Sequence, residues 1–217
     1  MTQAEIIENT KIFVKQTLQN AEGGHDWFHI QRVLNNAQHI AKNENADDFI
    51  VTLGALLHDI ADSKFHNGNE TIGPDKARLF LKAQGVSGEI IEHVVRIIEN
   101  ISFKGGNEEQ KFRSPELDII QDADRLDALG AIGIARTFNY GGFKGRALYD
   151  PEIKPDLGMS KGAYKSSSAP TINHFYEKLL LLKDRMNTQT GRQIAADRHK
   201  FMEEYLKQFY KEWDGKL

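Results

Sequence analysis

The sequence contains no cysteine. That absence excludes disulfides, thiolate zinc sites, iron–sulfur clusters and a cysteine nucleophile together, so any metal must be held by His, Asp and Glu. Only five prolines interrupt the 217 residues, and no stretch approaches the roughly 20 apolar residues of a membrane-spanning helix. A strong charge of either sign is missing too, since 31 acidic against 28 basic side chains leave a net charge of −3. Such a surface disfavours nucleic acid or an anionic membrane as partner. The opening segment, MTQAEIIENTKIFVKQ, has neither a basic start nor an apolar run, so the expectation is a soluble, cytoplasmic protein. What is present in quantity is histidine, with eight residues to supply nitrogen ligands.

Apolar residues recur mostly at helical spacing and sheet signals are nearly absent, which predicts an all-α chain. The length suits one domain over 1–217, with a core about 23–130, C-terminal helices about 171–211 packing on it and a flexible loop about 139–170. Helices are expected over Gln3 to Leu18, Asp26 to Lys42, Phe49 to Ala61, Pro74 to Ala83, Glu89 to Ile101 and Glu116 to Leu129. Two more are expected over Asn173 to Met186 and Arg192 to Lys211. The third, FIVTLGALLHDIA, is apolar nearly all round, the pattern of a helix surrounded by others. The glycines from Gly141 to Gly162 and the serine run that follows mark the loop as either a mobile surface segment or a substrate lid.

Three helices place polar residues where periodicity predicts burial. At about 100° per residue, His29 falls roughly 40° from Val33 and 20° from Ile40, on the apolar side of the second helix. His58 and Asp59 sit inside the most hydrophobic run of the chain. Asp124 lies in the stripe of Leu117 and Ile120, amid the acidic run Asp118, Asp122, Asp124 and Asp127. Taken singly, each has a plain reading: a hydrogen-bonded core histidine, an orienting His–Asp pair, a solvated helix face. Together, two imidazoles and two carboxylates from three helices make a sensible set of ligands for a divalent ion, which would also supply the charge that buried aspartates need.

These residues lie in blocks that resemble a known family. His29 within GGHDWFHIQRV (23–33), His58-Asp59 within ALLHDIADSKF (55–65), Asp124 within QDADRLDA (121–128) and the later TINHFYEKLLLLKD (171–184) are similar to the H…HD…D pattern of the HD superfamily of metal-dependent phosphohydrolases, in its branch of small stand-alone bacterial hydrolases. The resemblance implies a single helical bundle with a metal in an interhelical cleft, held by His29, His58, Asp59 and Asp124. Asp62, one helical turn beyond Asp59, stands where relatives carry an acid/base residue; its plain alternative is a salt bridge to Lys64. Relatives with two metals insert two further histidines; here only His66 and His93 are available, outside matching motifs, so one ion is expected. Mn, Mg, Fe, Co, Ni and Zn all suit such ligands.

A phosphoryl substrate also needs cations. Lys64 follows Asp62 closely and Arg125 follows Asp124 directly, so both are placed to clamp phosphates or to neutralise local carboxylates. His174 and Lys178, with Asn173, belong to a block matching the family branch and stand as substrate-side candidates. The resemblance further implies a nucleotide substrate, with (deoxy)nucleoside triphosphates cleaved to monophosphate and pyrophosphate, or dephosphorylated. Two alternatives are a metal- and nucleotide-binding regulatory module without turnover, and a metal-free helical interaction protein. Phe201, Tyr205, Phe209 and Trp213, at four-residue steps, either pack on a partner or fold back on their own core, leaving monomer and homodimer both open.

Overall fold

The computed structural model describes residues 1–19, 24–61, 71–101, 112–158 and 167–216, and all regular structure among them is helical. The chain divides into two compact units, Met1–Asp124 and Arg125–Leu217.

The first unit contains α1 (Gln3–Thr17), α2 (Trp27–Ala41), α3 (Asp48–Leu57), α4 (Ile72–Ala83), α5 (Gly88–Asn100) and most of α6 (Pro115–Asp127). Its centre is α3, in which every residue from Phe49 to Leu57 is buried, as its all-round hydrophobicity requires. Asp47 caps this helix by accepting from the Phe49 and Ile50 amides at 2.8 and 3.0 Å. Around it pack α1, α2 and α5. Gly54 lets α6 approach: a Cβ there would lie 2.6 Å from Ile120 Cδ1 and 3.4 Å from Ile97 Cδ1. The inward stripe of α2 is the expected one, with Ile30, Val33, Leu34, Ala37, Ile40 and Ala41 buried. On α5, His93 is neither core nor part of the metal group; it sits at the margin, 3.0 Å from Ser114 Oγ and 3.2 Å from Glu116 Oε2.

Two boundaries differ from expectation here. The α3 helix stops at Leu57 rather than Ala61, so His58 and Asp59 lie in the turn that follows. The α4 helix begins at Ile72, which places Pro74 inside the first turn, where its missing amide hydrogen leaves no hydrogen bond unmade.

The second unit holds the last residues of α6, then α7 (Gly130–Phe143), α8 (Asn173–Glu177), a 3-10 segment (Leu179–Arg185) and α9 (Gln189–Trp213). The loop expected from residue 139 therefore starts later, because Asn139–Phe143 are the last turn of α7. Gly141 does not break that helix; it makes room, since a Cβ there would stand 2.2 Å from Thr171 Oγ1. Turns follow to residue 158, and residues 159–166 lie outside the described part. The single helix expected over Asn173 to Met186 is divided at Lys178, whose φ of −143° and ψ of −57° leave the helical region. The 3-10 winding then buries Leu179 and leaves Leu181 half exposed.

Along α9, Tyr205 packs against Phe138 and Phe175 at 6.2 and 6.1 Å, and Phe209 stacks on Trp213 at 6.0 Å. Tyr149 meets Phe209 and Trp213 edge-on at 6.0 and 5.1 Å. The aromatic stripe thus folds back on its own unit, except for Phe201, which is 48% exposed. Among the described residues no helix is long and apolar enough to cross a membrane.

Candidate metal centre

The site is assembled where α2 begins and α3 ends. Asp26 caps α2, its carboxylate accepting from the His29 amide at 2.9 Å, which fixes the first turn and turns His29 inward. At 2% exposure, the His29 imidazole is as buried as its position in the stripe predicts.

His58 follows from the termination of α3. The final carbonyls of a helix lack amide partners, and His58 Nδ1 donates to the Ala55 carbonyl at 2.8 Å. A carbonyl only accepts, so Nδ1 carries the proton and a neutral ring presents a bare lone pair at Nε2. That atom is buried and has no hydrogen-bond partner among the described residues. The ring lies edge-on to His29 with centroids 5.4 Å apart.

Two carboxylates complete the cluster. One ligand atom each from His29, His58 and Asp59 fall within 4.8 Å of one another. Asp124 Oδ1 lies 3.5 Å from His29 Nε2 and 4.0 Å from His58 Nε2. Donors bound at about 2.1 Å stand no more than about 4.2 Å apart, so both separations of Asp124 from the imidazoles suit a shared ion. A buried imidazole nitrogen without a hydrogen-bond partner among the described residues, facing carboxylate oxygen across a gap of ionic size, is what a divalent cation requires. The residues present fit such an ion.

Exposure grades across the cluster. The side chains of His29 and His58 are 3% and 4% exposed, Asp59 is 15% and Asp124 is 41%. Asp124 is therefore not buried in the stripe of Leu117 and Ile120; it shares their side of α6, but its carboxylate reaches open space before the two imidazoles. The buried members of the acidic run are Asp122 and Asp127, at 0% and 1%. Asp127 pairs with Arg136 at 2.6 Å within the second unit.

His25 is a member that the sequence reading passes over. Its Nδ1 donates to Asp59 Oδ2 at 2.5 Å, and its ring lies edge-on to His29 at 6.0 Å. The signal was the four-residue step from His25 to His29, which puts both on one side of the chain entering α2. Burial is the largest influence on the Asp59 carboxyl and pushes its pKa up. The hydrogen bond from His25 and the charges of His58, His25 and His29 act oppositely, and together they hold it below the usual range.

The remaining candidates separate. Asp62, Lys64 and His66 lie outside the described residues. Arg125, in the second unit, donates to the Arg185 carbonyl at 2.7 Å. His174 stands near Lys178 and Arg146, and its pKa is lowered to about 3 by burial and by those two cations, which makes it a neutral imidazole at physiological pH.

A helical bundle with paired imidazoles and carboxylates converging on one point defines an HD protein, and this chain belongs to the HD family, whose domains typically bind a divalent metal. Residues 27–129 match the family model described as HD domain. The chain is 38% identical to the uncharacterized protein YpgQ of Bacillus subtilis, over 99% of its own length and 97% of that protein. It is 46% identical to an HD-superfamily hydrolase of Bacillus thuringiensis whose crystal structure covers 98% of this chain and 99% of that one, with a TM-score of 0.79. The crystal structure of B. subtilis YpgQ in complex with ADP shares 36% identity, covers 98% of this chain and 97% of that one, and has a TM-score of 0.78.

Proposed function

We propose that this chain is a divalent-metal-dependent phosphohydrolase acting on a nucleotide, with a (deoxy)nucleoside triphosphate as the substrate class and either phosphate or pyrophosphate as the released group. The observation that carries this is His58 Nε2, a buried nitrogen without a hydrogen-bond partner among the described residues, beside His29, Asp59 and Asp124. Burial without a hydrogen bond is unfavourable by about 1–3 kcal/mol, a cost that a cation bound at Nε2 would offset. The ADP complex of YpgQ supports the nucleotide class.

His29, His58, Asp59 and Asp124 would hold one ion. When bound, a divalent ion acidifies its water and polarises a phosphoryl oxygen. The two imidazoles, almost fully buried, exclude solvent from one side, and substrate is proposed to enter on the side of the half-exposed Asp124. Asp62 is proposed to take the proton of the attacking water or return one to the leaving group, with Lys64 beside the transferred phosphoryl. Arg125 and Lys178 are proposed to offset the phosphate charge. His174, kept neutral, is proposed to donate a hydrogen bond there without adding charge.

The test is a screen of purified protein with Mn, Mg, Fe, Co, Ni and Zn against a nucleotide panel, with products identified. Hydrolysis lost by at least 100-fold in Asp124→Ala, with stability changed by no more than about 0.5 kcal/mol because that side chain is half exposed, is the expected outcome. Nucleotide binding without product under every metal would show a regulatory module instead.

A further inference from the structure

We propose that His25 is a positioning residue for the metal: its Nδ1–H holds Asp59 Oδ2 and so presents the carboxylate to the ion that His29 and His58 face. The inference rests on the metal-dependent reading above and goes beyond it, since no HD pattern in the sequence assigns a part to His25.

Asp59 needs such a partner because of where the chain places it. The α3 helix has ended at Leu57, and Asp59 sits in the turn of residues 58–61, where no regular backbone ladder restrains it. An aspartate side chain free to rotate would lose much of its worth as a ligand to the entropy of being held. His25 removes that freedom by occupying one carboxylate oxygen at 2.5 Å, which leaves the other for an ion. The pair is also sheltered, with His25 and Asp59 side chains 24% and 15% exposed, so it is screened less than a surface pair.

The position of His25 is itself determined. It directly precedes Asp26, whose carboxylate binds the His29 amide, so one capping structure orders both imidazoles. His29 turns toward the ion position and His25 toward Asp59, with ring centroids 6.0 Å apart at 72°. Partners of this kind, which hold a ligand rather than the metal, alter affinity by about 10–100-fold when removed.

The test measures metal binding directly. Calorimetric titration with Mn²⁺ and with Co²⁺ is made on the full chain, the Co²⁺ samples also being read by visible absorption, for wild type, His25→Ala and His25→Asn. The Asn side chain places an amide N–H near the position of Nδ1. His25→Ala is expected to bind about 10–100-fold more weakly with an altered Co²⁺ spectrum. His25→Asn is expected to recover most of the affinity and the wild-type spectrum, which a merely structural role for the ring would not produce. Should His25→Ala not fold, His25→Gln, whose amide lies one bond too far along, takes its place with the same expected loss. Wild-type affinity and spectrum in the Ala or Gln variant would overturn the positioning role alone. Wild-type protein that binds neither ion would overturn the metal-dependent reading itself, and the positioning role with it.

Discussion

Replacing His58 by leucine is expected to leave the metal-free protein about as stable as wild type, although the residue is only 7% exposed at the end of the most buried helix. The wild-type ring has one satisfied nitrogen, Nδ1 on the Ala55 carbonyl, and one orphan, Nε2. Leucine leaves the buried Ala55 carbonyl without that donor, at about 1–3 kcal/mol, and removes the orphan Nε2, at about 1–3 kcal/mol, in a side chain of similar volume. The two terms are of equal size, so the melting temperature without metal should stay within about 2–4 °C of wild type, the shift that about 1 kcal/mol produces in a chain of this size. Metal separates the two proteins. An ion at one hundred times its dissociation constant stabilises the wild type by about 2.7 kcal/mol, or about 5–11 °C, and the variant hardly at all. Thermal melts followed by circular dichroism, in chelator and in excess Mn²⁺, read both effects. A leucine variant that melts several degrees below wild type in chelator would show that Nε2 is satisfied in the native state, and one that keeps the full metal shift would place the ion elsewhere.

Two further outcomes follow from the second unit. Gly133→Ala is expected to lower stability by about 2–3 kcal/mol in urea titrations, because the new Cβ would lie 2.2 Å from the Ala128 carbonyl oxygen, and a backbone atom cannot rotate aside. That loss outweighs the gain of about 1 kcal/mol in helix propensity, and an unchanged or higher midpoint would refute it. His174 is held neutral down to about pH 3, so the unfolded chain, titrating near the ordinary histidine value of 6.5, binds more protons across that interval. Its contribution is fully present above pH 6.5 and is lost as pH falls toward 3. The stability of wild type relative to His174→Gln should therefore shrink between pH 7 and pH 4, and a constant difference would contradict the burial and the cationic neighbours that depress this pKa.

Much of the first unit is legible from periodicity. The stripe of α2 and the uniform hydrophobicity of α3 dictate which faces are buried, and His29 and His58 stand out because nothing polar belongs there. The features that escaped have physical reasons. The sequence reading assigns no helix over Gly130–Phe143 and starts a loop at about 139, where Gly141 and Gly142 stand, whereas Gly141 serves a close approach to Thr171 that the local sequence does not announce. His25 lies outside the regular helix, so no periodic rule covers it, and its importance comes from Asp59, 34 residues away. Burial of Asp124 was misjudged because helical phase predicts the direction of a side chain and not whether the space ahead of it is filled.

What the sequence by itself determined is local: where α2 starts under the Asp26 cap, which residues face inward, and that a metal could be bound only through nitrogen and oxygen. These are matters of backbone propensity, hydrophobic period and ligand chemistry, all set within a few turns of chain. Tertiary structure decided which carboxylate of the run Asp118, Asp122, Asp124 and Asp127 meets the imidazoles, because the phase of α6 against α3 depends on packing such as Ile120 against Gly54. It also decided which nitrogen of His58 is free and that His25 grips Asp59, since both depend on distances between groups that the chain must first fold to bring together.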